Sequence, residues 1–197
     1  MKQIVTFFLS CLLVACTNPA LNKLEQKVVI EEGKSAFYDT LGLLEENTEV
    51  IAIVTPTATM TNEFVMNKAE KVVEVGATLT EVKVDKVYKG EISEKITIKE
   101  SYYLNTEEEE LAIYDGYIPM REGEKYLVFM SMQPENTHPA LEGSYYIVGT
   151  TVGAIPITTE GRAKNATFYK DTFGRDDYGR GLLFEIQTEA IEKYLIE

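Results

Sequence analysis

The amino-acid sequence predicts a mostly β domain with a minor helical part: a small antiparallel barrel or curled sheet of five or six strands, flanked by helices. Two alternating segments, TEVKVDKVY and EKITIKES, lie on either side of Lys89-Gly90-Glu91, which is typical of a β-hairpin with one wet face. The apolar run KYLVFM over Lys125–Met130 indicates a covered strand. Helical spacing of apolar residues occurs in only two short stretches, one towards each end of the chain.

Length and charge narrow the classes of partner. A chain of 197 residues suits one domain with its own core. The formal charge is −13, or −14 from residue 16 onward because residues 1–15 carry one Lys and no acid. Such a surplus of acids repels nucleic acid and anionic lipid head groups, so nucleic acid is not an expected partner.

The N-terminus has the pattern of a targeting segment. Lys2 precedes an apolar run, Ile4–Ala15, that is interrupted only by Thr6 and Ser10. Its 12 residues are too few for a membrane-spanning helix, which needs about 20. The run therefore predicts a signal segment rather than a standing transmembrane anchor.

The end of this run, Leu13-Val14-Ala15-Cys16, resembles the lipobox of bacterial lipoproteins. The resemblance implies cleavage after Ala15 and a thioether-linked diacylglycerol on Cys16, whose two acyl chains are the minimum for stable anchoring. The alternative is an ordinary signal peptide that happens to end near a cysteine.

On the lipoprotein interpretation, residues 1–15 are the signal peptide, 16–27 a lipidated tether, and 28–197 one mostly β extracytoplasmic domain. The partner of Cys16 is then the lipid bilayer: the cell membrane of a Gram-positive organism, or the outer membrane in a two-membrane cell, since residue 17 is Thr and not the retention residue Asp. Cys11 is discarded and Cys16 is lipidated, so the mature chain has no thiol for a disulfide, a metal or catalysis.

The first half of the domain is expected to hold a short strand at Val28–Ile30, a helix at Ser35–Glu46 capped by Ser35, and a central strand at Glu49–Thr57. Pro56 marks the exit of this strand towards a sheet edge. The state of residues 58–72 stays open, because no period is sustained there.

The central hairpin contains a phase break. Val82 and Val84 share a face, but Val87 falls out of phase, so a β-bulge near Asp85-Lys86 is predicted to return it to the inward side. On the return strand, the inward residues are Ile96 and Ile98. The outward lysines of the hairpin are Lys83, Lys95 and Lys99.

The second half predicts several further elements. The acidic block Thr106–Glu110 is expected to be a solvated loop. A second hairpin is predicted from Tyr145–Val148 and Ala154–Ile157, with Pro156 at an edge, followed by a strand at Asn165–Lys170. The C-terminus has two interpretations: an extended Leu182–Ile186 with a helix capped by Thr188, or a single helix from Leu183.

The sequence presents no catalytic constellation and predicts no cofactor. The single histidine, His138, lies in a loop with no evident nucleophile beside it. The glycine-rich segment Asp171–Gly181 contains possible oxygen ligands for Ca²⁺ at Asp171, Asp176 and Asp177. The segment lacks the regular alternation of acidic residues that is found in a calcium-binding loop. Glycoside hydrolysis requires a pair of carboxylates, but no feature of the sequence identifies such a pair among the 32 Asp and Glu residues.

A second resemblance concerns the domain. The elements V-x-V-x-x-V-Y-K-G, I-x-I and G-E-K-Y-L-V-F, over Val82–Gly90, Ile96–Ile98 and Gly123–Phe129, resemble uncharacterised lipoproteins of Gram-positive bacteria. The resemblance implies an OB-like barrel similar to that of netrin and metalloproteinase-inhibitor domains. Those domains depend on disulfides, which this chain lacks, so inhibitory activity is not implied.

The function that follows is a membrane-anchored, non-enzymatic extracytoplasmic module that binds a protein or another surface component. The basic stripe Lys83, Lys95 and Lys99 is the expected partner-facing surface. A calcium-dependent module using the acidic loops is the alternative, and a hydrolase with carboxylate chemistry is the third hypothesis.

Overall fold

The computed structural model describes residues 27–33, 36, 38–70, 72–174 and 181–196. Cys16, the lipobox and most of the tether lie outside these residues, so their predictions stay untested. The helices of the described chain are α1 (Leu41–Glu46), α2 (Thr159–Phe173) and α3 (Gly181–Leu195). Its strands are β1 (Lys27–Glu31), β2 (Val50–Asn67), β3 (Val72–Lys89), β4 (Lys95–Glu100), β5 (Tyr102–Asn105), β6 (Glu110–Tyr114), β7 (Tyr126–Met132), β8 (Tyr145–Ile147) and β9 (Ala154–Pro156).

Five strands close into a ring, which confirms the predicted mostly β barrel. β2 pairs with β3 and β3 with β4, both antiparallel; β7 pairs antiparallel with β8 and with β2. A short parallel ladder between β4 and β8, only two residue pairs long, completes the ring. A five-stranded, partly open ring of this kind is an OB-like barrel.

Two apolar clusters stabilise the barrel, because its strands bury residues on both faces. One cluster fills the interior and includes Val82, Ile98, Tyr117 and Val128. The other lies outside β2, β7 and β9 and is covered by α1 and α3; it includes Leu41, Leu44, Ile51, Leu127, Phe129, Ile155, Ile186 and Ala190.

The outer half of the β2–β3 hairpin extends beyond the barrel as an arm. A small sheet in the order β1-β6-β5 packs against this arm. The Asn62 side chain on the arm both donates to the Leu104 carbonyl, at 3.0 Å, and accepts from the Leu104 N–H, at 2.7 Å. Residues 58–72, whose state the sequence left open, therefore belong to this arm, apart from residue 71, which is not described.

The central hairpin and its bulge are confirmed, but the predicted orientation of Val87 is wrong. Ile53 pairs with Lys86 and Val54 with Val84, so Asp85 is the extra residue of a bulge. Val87 nevertheless remains 39% exposed. A second register shift lies close by, because Ala52 pairs with Val87 and Ile51 with Lys89. Tyr88 is the extra residue between these two pairs, and its ring packs into the outer cluster.

The N-terminal elements are placed as predicted, with corrected bounds. β1 confirms the short first strand. α1 begins at Leu41 rather than at Ser35, which is outside the described residues. Thr40 provides its cap, because its hydroxyl accepts from the Leu43 N–H at 3.2 Å. β2 does not end at Thr57, although its pairing with β7 stops at Val54, before Pro56.

The prediction of a second hairpin from Tyr145–Val148 and Ala154–Ile157 was wrong. β8 and β9 pair with β7 along the same edge and not with each other. Gly149, at φ 74°, and Thr150, at φ 54°, lead into a 3-10 turn at Thr150–Gly153 that carries the chain onward instead of reversing it. The edge position of Pro156 is confirmed, because β9 is the last strand in the sheet order.

The strand expected at Asn165–Lys170 was also wrong, since these residues lie within α2. The Thr158 hydroxyl caps this helix by accepting from the Gly161 N–H at 3.0 Å, and Gly174, at φ 64°, ends it. At the C-terminus α3 confirms the single-helix interpretation. Leu182–Ile186 is therefore helical and Thr188 does not cap a helix.

The predicted solvated loop Thr106–Glu110 is confirmed for residues 106–109 but not for Glu110. Residues 106–109 are exposed between β5 and β6, and Glu110 begins β6. The Asn105 side chain accepts from the N–H groups of Glu107 and Glu108, which orders the turn.

Candidate functional site: the Lys99 cleft

The three lysines of the predicted stripe have different surroundings. Lys83 and Lys95 are directly opposite each other on β3 and β4. Lys83 Nζ lies 3.1 Å from Asp85 Oδ1, and Lys95 Nζ lies 3.3 Å from Glu81 Oε1. Both lysine side chains are about two-thirds exposed, at 66% and 65%. Their charges are therefore already compensated at the surface, where such pairs contribute little to stability.

Lys99 lies four residues along β4 from Lys95, about 13 Å away at the rise of a strand. It is half-buried and has neither an ion pair nor a hydrogen bond with any residue that the structure describes. Burial alone lowers the pKa of its ammonium group. Of the predicted stripe, Lys99 is thus the member whose charge the described protein does not compensate.

Lys99 lines a cleft of about 410 Å³ on the outer face of the barrel. Tyr146 pairs with Lys99 across the parallel β4–β8 ladder, so the two side chains leave the same face. We call this cavity the Lys99 cleft; its described lining residues are Ala36, Tyr38, Lys99, Ser101, Gln133, Pro134, Tyr146, Ile147, Val148, Gly149 and Thr150.

The location of the Lys99 cleft matches the ligand face of OB-like barrels. Such barrels bind through the face of their second and third strands and through the loops after their first and fourth strands. Counted along the chain, the five barrel strands are β2, β3, β4, β7 and β8, so the second and third are β3 and β4, and the two connections are the arm and the loop Gln133–Ser144. The lining of an adjoining cavity of about 310 Å³ includes Gly76 of the arm, Leu141 of the loop and Lys99, and also the acids Glu74 and Asp115.

Backbone strain accompanies the clefts. Three non-glycine residues of the described chain have positive φ, and two of them, Thr150 at 54° and Asp115 at 49°, line these cavities. A β-branched residue in the left-handed region is unfavourable by roughly 1–3 kcal/mol and persists only where its surroundings hold it. Strain of this kind is common at ligand sites.

Hydrogen bonds hold this strained backbone in place. The Thr151 hydroxyl donates to the Gly116 carbonyl at 2.9 Å, and Gln187 Nε2 donates to the Thr151 carbonyl at 3.1 Å. Asp115 Oδ1 accepts from the Gly33 N–H at 2.7 Å. Specific hydrogen bonds therefore hold the backbone next to Thr150, which lines the Lys99 cleft, and the backbone at Asp115, which lines the adjoining cavity.

Glu100, next to Lys99 in sequence, points into the barrel and is fully buried. Its carboxylate accepts from the hydroxyls of Thr80 and Tyr117 and from the Met120 N–H. Burial raises the pKa of Glu100 to about 7, although these hydrogen bonds act in the opposite direction. Because it is enclosed in the core, we assign Glu100 a structural role.

Of the remaining predicted site residues, the structure describes Asp171 and His138. Asp171 lies on α2 and is exposed, so it does not begin a loop; Asp176 and Asp177 are outside the described residues. His138 Nδ1 accepts from the Ala140 N–H at 3.2 Å and caps a short 3-10 turn. Among residues 27–33, 36, 38–70, 72–174 and 181–196, no group of three or more His, Cys, Asp and Glu is placed to hold a metal ion.

Comparisons with known proteins add no family to this description. No protein-family model matches the chain, and a search of curated proteins finds no significant match. Within the described part of the chain, every helix is too short or too polar to cross a membrane.

The residues that surround Lys99 were not predicted. Strand alternation placed Lys99 on the outer face, but Tyr38, Gln133, Tyr146 and Thr150 come from segments that were interpreted as helix, loop and hairpin. Their one local signal was Gly149-Thr-Thr-Val-Gly153, a glycine-bounded segment that was assigned to a simple turn.

Proposed function

We propose that this protein is a lipid-anchored, extracytoplasmic binding module that holds its ligand in the Lys99 cleft and does not act as an enzyme. The observation that carries the proposal is a half-buried Lys99, whose charge no described residue compensates, in a cleft on the ligand-binding face of an OB-like barrel. An isolated buried charge is costly, so a protein that keeps one in a cleft favours a ligand of opposite charge.

The anchor rests on the sequence Leu13-Val14-Ala15-Cys16 alone. Cells that produce the full chain would be grown with a radiolabelled fatty acid. We expect label on the wild type and none on Cys16→Ser, and the labelled protein should fractionate with membranes. Label that persists on Cys16→Ser would overturn the lipoprotein assignment.

The binding role is tested without knowledge of the ligand. A photo-crosslinking phenylalanine analogue would replace Gln133, which lines the Lys99 cleft, in cells that produce the anchored protein. The matched control places the same analogue at Glu189, an exposed position on α3 that lines none of these cavities.

We expect adducts from position 133 that disappear when Lys99→Gln is added, and none from position 189. Two results would count against a binding function at this cleft. One is that position 133 yields no adduct, and the other is that its adducts still form when Lys99→Gln is added.

A further inference from the structure

The charge of the residues that line the Lys99 cleft limits the charge of a ligand that can bind there. Of the eleven lining residues that the structure describes, only Lys99 is charged. The adjoining cavity, which Lys99 also lines, contains the acids Glu74 and Asp115, and Asp115 accepts a hydrogen bond from the Gly33 N–H. A single ammonium group is a point charge without the fork geometry with which Arg grips phosphate. One negative charge balances it, whereas a doubly charged phosphate would leave a charge uncompensated in a partly desolvated cleft.

The electrostatic field of the whole protein favours a small anion over a polyanion as the ligand. The chain carries −13 in total, so close to its surface a polyanion is repelled more strongly than a molecule with one negative charge. At physiological ionic strength this repulsion is screened beyond about 8 Å. A small singly charged molecule can therefore approach and be captured by the local charge of Lys99.

Neutral donors surround the lysine. Ser101, Tyr38, Tyr146 and Thr150 supply hydroxyl groups to the cleft, and Gln133 supplies an amide. Burial, together with the neighbouring Tyr146, raises the pKa of Tyr38, so its hydroxyl stays protonated and able to donate. Hydroxyl donors beside one cation suit the two oxygens of a carboxylate.

The rest of the wall is apolar. Pro134, Ile147, Val148 and Ala36 contribute to it, and the volume of about 410 Å³ falls in the range of small-molecule sites. A ligand that fits this lining has one charged end and an apolar body of a few carbon atoms.

From these observations we infer that the Lys99 cleft binds a small organic monocarboxylate with an apolar body, the class that includes N-acylated amino acids and the carboxyl ends of short peptides. This inference rests on the proposed binding function and specifies its ligand. Lys99 would bind the carboxylate, the surrounding hydroxyls would orient it, and Pro134 and Val148 would contact the apolar body.

The test measures binding by isothermal titration calorimetry with the full-length protein in a non-ionic detergent. The probes are benzoate, N-acetylalanine and N-acetylphenylalanine, each compared with its uncharged amide, and phenyl phosphate. We expect at least one acid to bind, its amide to bind roughly tenfold more weakly or worse, and phenyl phosphate to be no better than the acid.

Variants assign the binding to the cleft. Lys99→Gln should abolish binding of the acid, while Lys95→Gln, which removes an exposed lysine of the same strand, should leave it unchanged. Equal binding of acid and amide, preference for the phosphate, or full binding by Lys99→Gln would overturn the inference.

The outcome is distinguishable from failure of the proposed function. If no carboxylate binds but Lys99-dependent adducts still form at position 133 in cells, the ligand class is wrong and the binding function stands. If neither experiment gives a Lys99-dependent signal, both are wrong.

Discussion

The Tyr117 hydroxyl donates a 2.9 Å hydrogen bond to Glu100 Oε2 inside the barrel, where both residues are fully buried. Thr80 and the Met120 N–H complete the set of donors around this carboxylate. Glu100 therefore links the barrel wall at β3 and β4 to the segment 117–120, and it does so at the cost of a buried ionisable group.

This arrangement predicts a pH-dependent stability. The pKa of Glu100 is raised from 4.5 to about 7 in the folded protein, so the folded state binds more protons than the unfolded state between these values. The free energy of unfolding should consequently fall as the pH rises from 4.5 to 7, by roughly 3 kcal/mol from this group.

Urea denaturation across this range checks the prediction by comparing the wild type with Glu100→Gln, which keeps the shape of the side chain but cannot ionise. We expect the variant to lose this part of the pH dependence, while Glu142→Gln, at an exposed position, keeps it. Identical pH profiles for the wild type and Glu100→Gln would show that Glu100 does not titrate in this range.

Gly76 allows the small sheet to approach the arm. A Cβ atom at position 76 would lie 2.4 Å from Tyr103 Cε1, and the Tyr103 ring is held by stacking on Phe64 at 5.6 Å and by a 2.8 Å hydrogen bond to Glu31. Gly76→Ala should therefore lower the free energy of unfolding by about 1–3 kcal/mol.

The matched control for Gly76 is Gly42→Ala on α1, where the nearest atom to a new Cβ is 3.9 Å away. Because alanine favours helix over glycine, this change should stabilise the protein by up to about 1 kcal/mol. Chemical denaturation of both variants gives the comparison, and a Gly76→Ala protein as stable as the wild type would mean that the Tyr103 ring moves freely.

Lys89 secures the C-terminal end of α1. Its ammonium group donates to the Glu45 carbonyl at 2.6 Å and to the Thr48 carbonyl at 2.5 Å. Since carbonyls at a helix end lack helical partners and a cation is favourable there, Lys89→Met should cost about 1–3 kcal/mol.

Lys68→Met serves as the control for Lys89, because Lys68 is 83% exposed and makes only a 3.6 Å ion pair with Glu107. We expect it to change the melting temperature little. Thermal denaturation compares the two variants, and equal shifts would argue against a capping role for Lys89.

Lys99 should behave in the opposite way to Lys89. Burial disfavours its charged form, and no described residue compensates the charge, so Lys99→Met should leave the free energy of unfolding unchanged or raise it. The same variant should lose the carboxylate binding inferred above. A strongly destabilised Lys99→Met would indicate that the lysine serves the fold and not a ligand.

The local features of the barrel could be derived from the sequence because they depend on neighbours along the chain. Alternation placed Ile98 inside and Lys99 outside, and the phase break after Val84 predicted the bulge near Asp85-Lys86. The solvated acidic turn at residues 106–109 and the covered strand β7 followed from composition and from an unbroken apolar run.

Local patterns failed where a distant contact or an unrecognised cap decided the structure. Asn165–Lys170 has the β-branched and aromatic residues of a strand, but caps at Thr158 and Gly174 enclose it in α2. Asn165 then faces the barrel, where its side chain accepts from Arg121 at 2.8 Å. The pattern of residues within Asn165–Lys170 gives no information about a hydrogen bond to a residue as distant in sequence as Arg121.

The sequence by itself determined that this chain carries a lipobox-like N-terminus, a mostly β fold and an outward-facing lysine at position 99. Only the tertiary structure decided that Lys83 and Lys95 form ion pairs with acids whereas Lys99 forms none with a described residue, and that Lys99 lies among hydroxyl groups from three separate segments. The reason is physical: side-chain direction along a strand has a period of two and is local, whereas the compensation of a charge depends on residues that closure of the barrel brings together.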